Sequence, residues 1–158
     1  MNTVTKTGLI VGILSSLYLA LLSSNGNFGG SALKYGKYII IMIALMIFYK
    51  QMVSKWSYND FMGNFIGSAF RIALISGITV AVINSFLYLI DPTLSTQKYN
   101  LLADSLSQLL LIDVILIVEM VVLGMLSSFI IFPLFKNIPN ESESHKDSTI
   151  DSDYSYEK

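Results

Sequence analysis

This chain has no cysteine, and it has a single histidine and three prolines in 158 residues. Without cysteine, disulfides, thiolate nucleophiles and Cys-based metal sites are excluded. The histidine, His145, stands in a polar tail, so no histidine base, triad or metal cluster can form among the preceding residues. Charge is scarce as well, at 13% of residues, against about 25% in soluble domains. The net charge of −1 offers no basic excess for nucleic acid. No Gly-rich phosphate loop or metalloprotease helix appears. The expectation is a chain with no catalytic residues, no cofactor and no metal, and not an enzyme.

What the chain does have is apolar sequence. Hydrophobic residues make up 53% of it, gathered in stretches at 8–22, 33–49, 72–90 and 112–135. A spanning helix needs about 20 mostly apolar residues. The last two stretches meet that alone, and the first two meet it with their flanks. The run from Ile39 to Phe48 lacks the alternation of a β-barrel strand. The expected fold is therefore all-α, a polytopic transmembrane four-helix bundle over 1–136 with the lipid bilayer as its partner. The spans fall at about 4–24, 31–49, 70–90 and 110–135. Lys6 followed by an apolar core resembles a signal peptide, but cleavage after Ser23 or Ser24 would put leucine at the −3 position. The segment is read as a retained span.

Lysine and arginine near span ends set orientation. Lys6, Lys50, Lys55, Arg71, Lys136 and Lys146 fall on one side, Lys34, Lys37 and Lys98 on the other. That bias predicts cytoplasmic N- and C-termini. Before the third span, Phe61, Phe65 and Ala69 recur at helical spacing, with Asn64 and Ser68 opposite. Two readings stand: an interfacial amphipathic helix, or one long helix over 61–90. Asp91-Pro92 ends the third span. Apolar residues from Leu101 onward suggest that the last helix protrudes outward. Residues 137–158, rich in Ser, Asp and Glu, read as a disordered acidic cytoplasmic tail.

The string Asn64-Phe65-Ile66-Gly67-Ser68-Ala69-Phe70-Arg71, the Asp91-Pro92 exit, and Gly124 with its small neighbours closing on Lys136 form a recognisable set. Together they resemble the bacterial four-helix membrane family catalogued as domain of unknown function 4199. The resemblance covers 8–136. It departs at Ile66-Gly67, where the family prefers Phe-Gly, and at Asp113 and Glu119 in the last span. It implies four spans and a bacterial inner (cytoplasmic) membrane, and it implies no activity.

A few polar groups fall inside the apolar stretches. At about 1.5 Å per residue, Glu119 lies roughly 25 Å from Lys136, Lys37 and Lys34 roughly 20 and 24 Å from Lys50, and Asn84 roughly 20 Å from Arg71. These groups share a layer. A charge at mid-membrane is expensive and finds a partner. The expected arrangement pairs Glu119 with Lys37, with Lys34 as second choice and Asn84 completing the hydrogen bonds. Three readings remain: a structural pair, a functional proton or ion step, or no pairing with the lysines snorkelling. Asp113 counts out to the outer surface. Gly124 with Ser128, and Gly63 with Gly67, are small pairs suited to helix packing within a bundle or at a dimer face. The expected role is a non-enzymatic structural or interaction subunit, with a homo-oligomer or another membrane protein as partner. The alternative is a small transporter or channel component using Lys37, Asn84 and Glu119.

Overall fold

The computed structural model describes residues 2–24, 35–56, 60–90 and 106–135. Helix α1 is Thr3–Ser24, α2 is Gly36–Met52, α3 is Phe61–Ile90 and α4 is Leu106–Phe135; a 3-10 turn, Val53–Lys55, follows α2. Every one of the four helices is long and apolar enough to cross a membrane. The runs that form them lack glycine clusters and internal proline, apart from Pro133 close to the end of α4. There the lost N–H bond removes little, because the helix ends at Phe135. Two hydroxyls of α3 are satisfied locally: Ser76 donates to the Ala73 carbonyl at 2.9 Å and Thr79 to that of Ile75 at 2.8 Å. Such back-bonding removes the need for water.

Around the bundle the order is α1, α2, α4, α3, with α1 across from α4 and α2 across from α3. Gly8 faces Ile75 and Gly12 faces Thr79, so α1 and α3 run in the same direction. Asn84 meets Asp113 and Gly77 meets Ile117, so α4 runs back along α3. Lys37 meets Glu119 and Tyr49 meets Ser128, so α2 and α4 are parallel. The chain thus traverses the bundle alternately, and the start of α1 shares an end with the finish of α4.

The inner and outer faces are both apolar. Val11, Ile41, Leu45, Phe48, Tyr49, Phe65 and Ile72 form the larger buried cluster, and Leu19, Val80, Ile112 and Leu116 the smaller. Ile13, Leu17, Ile43, Ile47, Phe86, Val118, Leu126 and Ile130 point outward. In water such a surface would drive aggregation; in a bilayer the outward side chains meet hydrocarbon. The outward belt therefore fits a multi-pass membrane protein.

Residues 61–90 form one helix. Its first turns do not lie on the membrane surface as an amphipathic segment would. Phe65, Ser68 and Ala69 are buried, and the Phe65 ring stacks on Tyr49 with centroids 3.6 Å apart. That packing holds the start of α3 upright in the bundle. Helix α4 begins at Leu106, ahead of its expected start. The second span was expected from residue 31, but residues 31–34, including Lys34, lie outside the described set, as do Asp91-Pro92 and the tail 137–158.

Candidate functional site: polar groups between the helices

Lys37 is the second residue of α2, and its side chain is only 4% exposed. Its Nζ stands 2.7 Å from Oε2 of Glu119, part-way along α4. The next residue, Tyr38, donates its hydroxyl to Glu119 Oε1 at 2.7 Å. Lys37 Nζ also lies 5.5 Å from the centre of the Tyr38 ring. Both oxygens of one carboxylate are therefore held from the first turn of a neighbouring helix. The dipole at that end of α2 favours an anion as well.

A second carboxylate lies about 9 Å farther along α4, six residues toward its start. Asp113 Oδ1 accepts from Asn84 Nδ2 at 2.8 Å and Oδ2 from the Ser85 hydroxyl at 2.6 Å. Counting had sent Asp113 to the outer surface, where no partner was needed. The structure corrects this: Asp113 is 7% exposed and turned into the α3–α4 contact. The reason is that α3 continues upright to Ile90, so Asn84 and Ser85 still flank α4 at that height. Asn84 was expected to serve the Lys37–Glu119 pair, and the bond described here goes to Asp113. Tyr38, Ser85 and Asp113 were missed as members of the polar set. The i, i+1 adjacency of Lys37-Tyr38 and of Asn84-Ser85 was the available signal.

Nearer the other end, the buried Tyr49 hydroxyl donates to the Phe65 carbonyl at 3.0 Å and lies 3.0 Å from Ser128 Oγ. Ser128 thus packs as expected of a small residue and adds a hydrogen bond. Gly124 is tightly enclosed too: a Cβ there would collide with Ala73 and sit 3.2 Å from Ile41 Cδ1. Gly63 and Gly67, expected as a packing pair, have no neighbour among the described residues, where a Cβ on either would meet nothing within 4 Å. Helix α1 begins at Thr3, too high to cover those turns of α3. Tight as well are Gly8 and Gly12, against Ile75 and Thr79, Gly36, against the Tyr18 ring and hydroxyl, and Gly77, against the backbone of Ile117. The Gly8-x-x-x-Gly12 spacing is the sequence signal for the α1–α3 contact. Of the motif that carries the family resemblance, Phe65 and Ala69 are buried, while Phe70 and Arg71 are exposed.

Ser15 and Ser16 on α1 are buried, and their hydroxyls have no hydrogen-bond partner among the described residues. Among those residues no group of three or more His, Cys, Asp or Glu side chains is positioned to hold a metal ion. No protein-family model matches the chain, and neither a curated protein nor a solved structure matches it. The polar contacts therefore carry the functional argument. They can neutralise charge in a low-dielectric interior, fix helix register, and hold or pass a proton at Glu119 or Asp113.

Proposed function

We propose that the chain is a small four-span protein of the bacterial inner membrane, related to the family it resembles, with a non-enzymatic structural or interaction role. Both ends of the bundle segment face the cytoplasm in this reading. Its support is the exposed Lys6, Lys50, Lys55 and Arg71 on the end shared by the start of α1 and the finish of α2. The structural role rests on the Lys37–Glu119 pair: Glu119 has a cation on one oxygen and a hydroxyl on the other. A carboxylate so engaged is suited to clamping α2 against α4 rather than to releasing a proton.

A second reading, a transporter or channel component, is favoured by Asp113. Among the described residues its hydrogen bonds come from neutral groups, and no cation pairs with it. Glu119→Gln and Asp113→Asn, each reconstituted in vesicles, separate the two. The structural role predicts altered thermal stability with no proton or ion flux in wild type or variants. Flux in wild type that vanishes in a folded Asp113→Asn protein would replace it with the transport role. Topology is tested directly in this cysteine-free chain. Single cysteines at Asn2 and at Ser54 should label from the cytoplasmic side only.

A further inference from the structure

Because α1 starts at Thr3 while α3 starts earlier in the bundle, no described residue covers the early turns of α3 on the side that α1 covers higher up. The result is a cavity of about 210 Å³, lined on one wall by Val4, Phe48, Met52 and Trp56 and on the other by Gly63, Asn64, Gly67, Ser68 and Arg71. Gly63, Asn64 and Arg71 are exposed, so the cavity opens to the outside of the bundle. It has an apolar wall, an α3 wall stripped of side chains at Gly63 and Gly67, and a guanidinium at its rim.

Charge identifies the occupant. Lys6, Lys50, Lys55 and Arg71 are all exposed at this end, Asp60 is the acidic residue near them, and none of the five is in an ion pair among the described residues. A basic rim beside an apolar slot at the edge of the hydrocarbon matches a phosphate attached to acyl chains. A second protein copy would instead need to bury the arginine and lysines against matching acids. Among the described residues, no exposed acidic cluster on this chain supplies them.

We propose that this cavity between the start of α1, the end of α2 and the early turns of α3 binds one anionic phospholipid. Its phosphate sits beside Gly63 and Gly67 with the Arg71 guanidinium on it, and an acyl chain runs from there past Met52 and Phe48 toward the bilayer interior. The inference rests on the chain spanning a bilayer, and its test reads the two claims separately.

Trp56 is the only tryptophan, so its fluorescence reports this cavity alone. The protein is reconstituted in phosphatidylcholine vesicles carrying a minor fraction of acyl-brominated phosphatidylglycerol, or of acyl-brominated phosphatidylcholine. One arginine at an anionic headgroup should give roughly a fivefold preference for the anionic quencher. Arg71→Gln should abolish that preference, and Gly67→Leu, which fills the slot, should reduce quenching by the anionic lipid to that of the neutral one. Added inorganic phosphate should leave the quenching unchanged, which distinguishes a lipid from a free anion. Equal quenching by the two lipids, or a preference that survives Arg71→Gln, would overturn the proposal. So would Trp56 shielded from both quenchers together with crosslinking between copies. Resistance to alkaline extraction from the same vesicles reports the membrane reading independently.

Discussion

Lys37 Nζ and Glu119 Oε2 lie 2.7 Å apart and join the second helix to the fourth, its neighbour in the bundle. The lysine is almost wholly buried and the carboxylate a quarter exposed. Removing one partner strands the other. Glu119→Gln should therefore destabilise the protein by about 3 kcal/mol, the lower end of what breaking a buried pair costs. Lys37→Met should cost about as much. The double variant, with neither charge left, should recover most of the loss, because an apolar pair needs no desolvation. Thermal unfolding in mild detergent measures all three. Simple additivity of the two single losses would mean that the pair contributes nothing as a pair.

The Asp113 contacts make a different prediction. Asn84 and Ser85 both donate to it, so the groups at risk are the donors. Asp113→Asn retains one acceptor and a polar neighbour for Ser85, and should change stability by less than about 1 kcal/mol. Asp113→Leu leaves two buried donors without an acceptor and should cost about 1–3 kcal/mol. Equal losses for the two variants would show that the negative charge matters more than the hydrogen bonds.

The four apolar helices were legible because lipid imposes a composition on every outward face, and composition survives without any knowledge of packing. The meeting of Lys37 with Glu119 was legible for a related reason. Charges at one depth have few places to go, and depth can be counted. Azimuth cannot be counted in the same way. Asp113 and Glu119 stand on one helix, yet one is served by α3 and the other by α2. Only the packing angle of α4 decides that. Azimuth also separates the small-residue pairs: Gly124 with Ser128 is packed, whereas Gly63 with Gly67 and Gly8 with Gly12 have the same spacing, and only the staggered start of α1 tells which of these two is covered.

That stagger predicts opposite signs for one substitution. Gly67→Ala puts a methyl into open space in a helix, so it should be neutral or stabilising by up to about 1 kcal/mol. Gly12→Ala puts a methyl 2.5 Å from Thr79 Cβ and 2.9 Å from the Ser76 carbonyl oxygen. The helix-propensity gain of about 1 kcal/mol is then set against overpacking that costs about 1–3 kcal/mol. Gly77→Ala meets the Ile117 backbone, which cannot rotate away, and should be destabilising as well. Unfolding midpoints for the three variants in one detergent give the comparison. A stabilised Gly12→Ala would mean that α1 lies farther from α3 than described here.

Tyr49 gives the sharpest test of the aromatic end of the bundle. Its ring stacks on Phe65 and contacts Phe48, Trp56 and Phe135. Its hydroxyl links α2 to the Phe65 carbonyl on α3 and to Ser128 on α4. Tyr49→Phe keeps every ring contact and removes only the hydroxyl. The Phe65 carbonyl still accepts from Ser68 at 2.9 Å, so Ser128 is the group that loses its partner. The expected loss is about 0.5–1.5 kcal/mol, typical of one interhelical hydrogen bond in a membrane protein. Tyr49→Ala removes the stacked ring too and should cost about 3–5 kcal/mol, as large aromatic truncations in a core do. The combined variant Tyr49→Phe with Ser128→Ala should be no less stable than Tyr49→Phe alone, since the serine hydroxyl then has nothing left to satisfy. A further drop in that double variant would mean that Ser128 draws its support from a group other than Tyr49.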